Sequence, residues 1–184
     1  MNDGSSISGK LSDYSPDIQV FALCFFEPHG IMQKLIHQLK YKGKQSIGAW
    51  LGTWCGNELL KQPNLQQFDW VLPVPLHARR QRKRGYNQCT HFGKKIAKCL
   101  GANYTEKILV RKVFQTTQTT KNKASRLANI NGAFEVVNPT VFKDKNVLLV
   151  DDVITTGATL TACCEALSQV PGIRVSIAAM AVVP

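Results

Sequence analysis

The sequence predicts an α/β fold with a mainly parallel sheet flanked by helices. Three observations carry that expectation. Apolar runs of strand length alternate along the chain with segments whose apolar residues recur at helical spacing. One run, Val147–Val150, is apolar at every position, the pattern of a strand covered on both faces. No apolar run approaches the roughly 18–20 residues that a membrane span needs. The chain has 184 residues, 44% hydrophobic and 19% charged, which favours one folding unit and excludes a fibrous or wholly disordered chain.

Residues 1–19 read as a flexible polar leader, with no basic segment leading into an apolar one and so no secretory signal. Val20–Phe26 is a short strand. Ile31–Leu39 and Ile47–Leu60 are helices, separated by the basic turn Lys40-Tyr41-Lys42-Gly43-Lys44; residues 20–65 form a small N-terminal helical region. The core spans residues 66–184. It starts with a strand, Trp70–Val74, in which Pro73 removes a ladder donor. A basic loop runs from His77 to Gly85. A helix follows, capped by Asn87, with Cys89, Phe92, Ile96, Ala97 and Leu100 on its apolar stripe and Gly101 at its end. Lys107–Val110 is a strand, and Phe114–Ser125 is a polar loop long enough to suggest a function. Then come a strand at Gly132–Val137, a turn at Asn138-Pro139, the buried strand, a helix at Leu160–Val170 and a last strand at Val175–Val183.

Six cysteines show no C-x-x-C spacing, which argues against zinc. Cys89 and one of Cys163 and Cys164 fall on apolar stripes. With no secretion signal, a reduced thiol set in the cytoplasm is the expectation.

The net charge is +11, and its distribution is uneven. Residues 71–126 hold 14 basic residues against one acid, Glu106, for a net of +13, while the remainder nets −2. Such a block points to an anionic partner, a phosphorylated small molecule or nucleic acid.

The most informative segment is Val147-Leu148-Leu149-Val150-Asp151-Asp152-Val153-Ile154-Thr155-Thr156-Gly157-Ala158-Thr159-Leu160. In an open parallel sheet, ligands bind beyond the carboxyl ends of the strands, which is where Asp151 and Asp152 fall. The turn after them feeds a helix N-terminus, whose free N–H groups and dipole favour an anion. Thr155, Thr156 and Thr159 add hydroxyl donors, and Gly157 permits close backbone approach. Two acceptors suited to sugar hydroxyls or a metal therefore adjoin a cradle suited to phosphate. A ribose diol beside a 5′-phosphate meets both. No Gly-Lys-Ser/Thr follows, so this is not a Walker A loop.

This segment resembles the 5-phosphoribosyl-1-pyrophosphate (PRPP) motif of type I phosphoribosyltransferases. The resemblance implies that family's Rossmann-like fold, with residues 20–65 as the hood. It implies that Asp151 and Asp152 hold the ribose hydroxyls and take part in catalysis. Asp151, Asp152, Val153, Thr155, Thr156, Gly157, Ala158 and Thr159 then form the ribose and 5′-phosphate site, with Mg²⁺ arriving on PRPP near the two acids. The 6-oxopurine salvage enzymes usually carry Asp at the first loop position. Thr155 stands there, closer to the orotate and amido-transfer branches.

The stretch Val74-Pro75-Leu76-His77-Ala78-Arg79-Arg80-Gln81-Arg82-Lys83-Arg84-Gly85-Tyr86-Asn87-Gln88 resembles the signature of the competence protein F (ComF) family. So do Gln118, Arg126, Asn129, Gly132, Ala133 and Phe134, and upstream Lys40-Tyr41-Lys42-Gly43. Many members of that family begin with a four-cysteine zinc finger, whereas only Cys24 stands in the corresponding region.

A loop after the first sheet strand is where type I enzymes bind pyrophosphate, and arginine forks suit phosphate oxygens. His77, Arg79 and Arg80 are the candidates. The loop carrying Gln118, Lys121, Lys123 and Arg126 occupies the place of that fold's flexible lid, which excludes water from an activated sugar.

Three functions are consistent with these residues. One is pentosyl transfer from PRPP to an acceptor. The second, implied by the ComF resemblance, is handling of single-stranded DNA during DNA uptake, beside a competence helicase and a recombination mediator. The third is sensing of PRPP without turnover.

Overall fold

The computed structural model describes residues 18–112 and 132–184. Five strands form one sheet in the order β1-β7-β6-β2-β3, every pairing parallel. They are β1 (Val20–Ala22), β2 (Trp70–Pro73), β3 (Asn103–Tyr104), β6 (Asn146–Ile154) and β7 (Arg174–Val182). Two more strands, β4 (Leu109–Arg111) and β5 (Phe134–Val136), pair antiparallel as a separate ribbon. The helices are α1 (Ile31–Tyr41), α2 (Gln45–Leu60), α3 (Ala78–Arg84), α4 (Thr90–Leu100) and α5 (Ala158–Ser168).

Alternation along the buried strands sorts the core into two layers. Leu148 and Val150 join Phe92 and Ile96 of α4, Leu51 and Leu59 of α2, and Ile36 and Leu39 of α1. Val147 and Leu149 face the other way, onto Leu160, Cys163 and Leu167 of α5 and onto Leu109 and Phe134 of the ribbon. Both faces of β6 are covered, which is why its sequence is a continuous apolar run rather than an alternating one.

Residues 20–65 contribute β1 to the sheet edge and lay α2 against α4. The approach of those two helices is close. A methyl group at Gly52 would strike the Phe92 carbonyl and stand 2.9 Å from Lys95 Cβ.

Three local expectations need correction. The basic segment after His77 is helical rather than a loop. His77 Nδ1 accepts from the Arg79 N–H at 3.1 Å, and Gly85, at φ +81°, ends the helix. Its Ala, Arg, Gln and Lys residues are good helix formers, yet none is buried, so no apolar stripe announced it. Second, β6 does not stop at Val150 but continues through both aspartates to Ile154. β7 extends alongside and pairs Ala179 with Asp151 and Val182 with Ile154. Third, the strand expected at Gly132–Val137 is shorter, Phe134–Val136, and it pairs antiparallel with β4 in the ribbon. The objection raised by Pro73 resolves simply. β3 pairs with Trp70 and Val71, so among the described residues no strand awaits a donor from Pro73 on the outer side of β2.

Among the described residues, no helix is long and apolar enough to cross a membrane.

Candidate functional site

Because β2 and β6 are parallel neighbours, with Pro73 opposite Val150, their C-terminal segments leave the sheet at one edge. From β2 comes the His77–Arg84 segment; from β6 come Asp151, Asp152 and the threonine turn. Sequence reasoning placed these two stretches in one site, and the topology brings them to the same edge.

Asp152 is buried and Asp151 partly so. Lys40 Nζ reaches from the end of α1 to Asp152 Oδ1 at 2.8 Å. Asp152 Oδ2 is buried and has no hydrogen-bond partner among the described residues. Asp151 Oδ1 accepts from the Asp152 N–H at 2.8 Å, and the Cys89 thiol stands 3.9 Å from the same oxygen. Burial first, and the Asp152 charge second, push the Asp151 carboxyl up to about 7. Burial, reinforced by the two carboxylates, pushes the Cys89 thiol well above its ordinary value. Ligand atoms of Cys89, Asp151 and Asp152 lie within 4.8 Å of one another, the one such group found among the described residues.

Val153 is half-buried as the strand ends, and Thr155 and Thr156 are exposed in the turn. Gly157 sits at φ +76°, a left-handed conformation at the N-terminus of α5 that side chains resist. Ala158 and Thr159 open the helix, and Thr161 Oγ1 donates back to the Gly157 carbonyl at 3.2 Å. Arg79 and Arg80 are exposed on α3, and His77 caps it. Gln118, Lys121, Lys123, Arg126 and Asn129 lie outside the described residues, as does the expected lid.

The Arg84-to-Gln88 stretch binds elements together. Asn87 Nδ2 donates to the Val74 carbonyl at 2.9 Å, and Asn87 Oδ1 accepts from the Cys89 N–H at 3.0 Å, so one buried side chain clamps the end of β2 to the start of α4. Tyr86 OH donates to the Leu39 carbonyl of α1, and Arg84 donates to Gln88.

Sequence reasoning missed two residues here. Lys40 was read as part of a turn, although the stretch that holds it had been singled out. Arg111, at the end of β4, lies over the Phe134 ring at 5.2 Å. Burial first, and the nearby Arg80 charge, hold its guanidinium below its ordinary value. The charge of Arg80 on α3 thus bears on Arg111 of β4.

An open parallel sheet with an acid pair, a threonine turn and a cationic helix on its carboxyl edge defines a class of α/β proteins built to hold a phosphorylated ligand. Residues 87–182 match the model of the phosphoribosyl transferase domain, more than half of the chain. The chain belongs to that family. It is 29% identical over 161 residues to the DNA utilization protein YhgH of Salmonella typhimurium, covering 86% of this chain and 64% of that protein. It is 35% identical over 100 residues to competence protein F of Haemophilus influenzae, covering 54% of this chain and 44% of that one. It therefore spans under two thirds of the length of both relatives, and the resemblance to the ComF family holds. Among solved structures it is similar to the glutamine PRPP amidotransferase of B. subtilis complexed with ADP and GMP, at 17% identity and a TM-score of 0.49, covering 77% of this chain and 30% of that one.

Proposed function

We propose that the protein binds PRPP at the carboxyl edge of β6 and β2 and transfers its phosphoribosyl group. The observation that supports this most directly is the acid pair, whose buried Asp152 Oδ2 has no partner among the described residues, next to the threonine turn at the start of α5, within the family-matched region. A buried carboxylate oxygen without a donor is costly unless a ligand supplies one. Ribose hydroxyls are such donors.

Asp151 and Asp152 accept from the ribose hydroxyls. Val153, Thr155, Thr156, Gly157, Ala158 and Thr159 surround the 5′-phosphate with hydroxyl and backbone N–H groups. His77, Arg79 and Arg80, joined by Arg111, face the pyrophosphate. The acceptor forms its bond to C1 as the C1–O bond to pyrophosphate breaks, and the arginines stabilise the departing charge. Mg²⁺, when bound with PRPP, neutralises further charge on that leaving group. Asp151 and Asp152 are hard oxygen donors that suit it, whereas the Cys89 thiol, held protonated, does not. Calorimetry with PRPP and Mg²⁺ tests the site. Wild type should bind, and the Asp151→Asn/Asp152→Asn double variant should bind at least 100-fold more weakly; equal binding refutes the assignment. Pyrophosphate release from PRPP across a panel of nucleobases and amines separates a transferase from a PRPP sensor.

A second activity, on single-stranded DNA, is supported by the names of the relatives, DNA utilization protein and competence protein F, and by the net +13 of residues 71–126. Binding should fall steeply with salt and weaken when Arg79, Arg80, Arg82 and Arg84 are neutralised together. A salt-insensitive or absent interaction removes this reading.

A further inference from the structure

PRPP, as placed above, engages His77, Arg79 and Arg80 at the start of α3. The other end of that helix carries cations that this placement does not use. Lys83 and Arg84, with Arg80, line a cavity of about 360 Å³ whose remaining walls are Lys40, Tyr41, Gly43 and Tyr86. That volume is within the range of small-ligand pockets. Four of its seven lining residues are cationic and none is acidic.

The walls are held in place. Tyr86 OH donates to the Leu39 carbonyl, which joins the floor of the cavity to α1. Arg84 donates to Gln88 and lies 5.6 Å from the centre of the Tyr41 ring. Both groups are thus oriented without a ligand. Lys40 is a wall of the cavity and also the partner of Asp152, at 2.8 Å. The cavity therefore adjoins the acid pair from the α1 side, through Lys40.

Lys40 is paired with Asp152, but Arg80, Lys83 and Arg84 have no carboxylate partner among the described residues and repel one another. An oxyanion relieves that repulsion, and fixed arginine and lysine donors bind it more firmly than isolated surface charges do. We propose that this cavity binds the oxyanion, carboxylate or phosphate, of a second ligand, and, resting on the PRPP reading, that this ligand is the acceptor. An acceptor held here is anchored by its charge at Lys83 and Arg84, beside the ribose site.

The test titrates inorganic phosphate and, separately, benzoate into the full-length protein saturated with PRPP and Mg²⁺, and again without PRPP. The two probes distinguish a phosphate from a carboxylate source. Lys83→Glu, an exposed change that touches none of the Asp152 contacts, should weaken the preferred probe at least tenfold. Lys98→Glu, an equal change of charge on an exposed residue of α4 that does not line the cavity, should leave it within twofold. Absence of binding by both probes at millimolar concentration, or equal weakening by the two variants, overturns the proposal. PRPP binding is read in the same experiment. If PRPP fails to bind while Lys83→Glu alone abolishes phosphate or benzoate binding, the PRPP reading falls and the cavity stands as an anion site.

Discussion

Lys40 Nζ lies 2.8 Å from Asp152 Oδ1, so a cation from α1 neutralises one of the two acids at the carboxyl edge of β6. The other acid, Asp151, is handled differently, since burial and its neighbour hold its proton up to about 7. Between the ammonium and that proton, the acid pair presents little net negative charge near neutral pH. A polyanionic ligand approaching two bare carboxylates would meet repulsion; this arrangement removes most of it while keeping the oxygens as acceptors.

Replacing Lys40 by Met keeps the length of the side chain and deletes the charge. The Asp152 side chain is 8% exposed and that of Lys40 22%, so the pair lies between the exposed and the fully buried case. The loss expected is roughly 1–3 kcal/mol, below that for breaking a fully buried pair. Urea denaturation should give a lower midpoint with an unchanged slope. An unchanged midpoint would mean that the ion pair contributes nothing.

Gly52→Ala tests the contact that seats α2 on α4. The new methyl meets the Phe92 carbonyl and stands 2.9 Å from both Phe92 Cα and Lys95 Cβ. Two of those three atoms are backbone, so α2 and α4 must separate. Overpacking of this kind costs about 1–3 kcal/mol or more. Thermal unfolding should show it, while Gly43→Ala, with no atom within 4 Å, is strained only through its φ of +69°.

The parts of the molecule with a local periodic signal were legible in the sequence. The run Val147–Val150 and the stripe of Phe92, Ile96 and Ala97 became the centres of β6 and α4, and both stretches of the site reached the same sheet edge. Where burial is absent, the pattern is silent: α3 buries no residue, and its charges disguised it as a loop. Contacts between distant segments leave no local trace. Lys40 and Asp152 are 112 residues apart, and only the packing of α1 onto the face that carries Leu148 and Val150 joins them. Cys89 was rightly read as a buried core residue, and its place against Asp151 follows from the clamp at Asn87.

Arg111→Gln separates binding from stability. In the free protein this residue adds repulsion to Arg80, and its burial is unfavourable to its charge. Removing it should change stability by no more than about 1 kcal/mol, because the lost contact with Phe134 is offset by relief of that repulsion. Pyrophosphate affinity, measured by calorimetry, should fall about tenfold, the scale of one charge-assisted contact. A destabilised variant with undiminished affinity would make Arg111 a packing residue.

The proton on Asp151 gives stability a pH dependence of defined sign. An unfolded Asp titrates near ~3.9, and in the folded chain Asp151 is raised to about 7. Below the lower value both states are protonated and there is no penalty. Between the two values the folded state holds a proton that the unfolded state has released, so unfolding becomes easier as pH rises, and above the upper value the penalty is constant. Asp69 works in the opposite sense, its carboxyl held low first by the Asn146 N–H, but its contribution is lost only as pH falls below the usual carboxylate range. Wild type should therefore lose stability from about pH 4 to about pH 7, by up to roughly 4 kcal/mol for a three-unit shift. Asp151→Asn should abolish most of that slope, and above pH 7 it should be the more stable protein. Parallel stability profiles for the two proteins would show that Asp151 is already ionised in the fold.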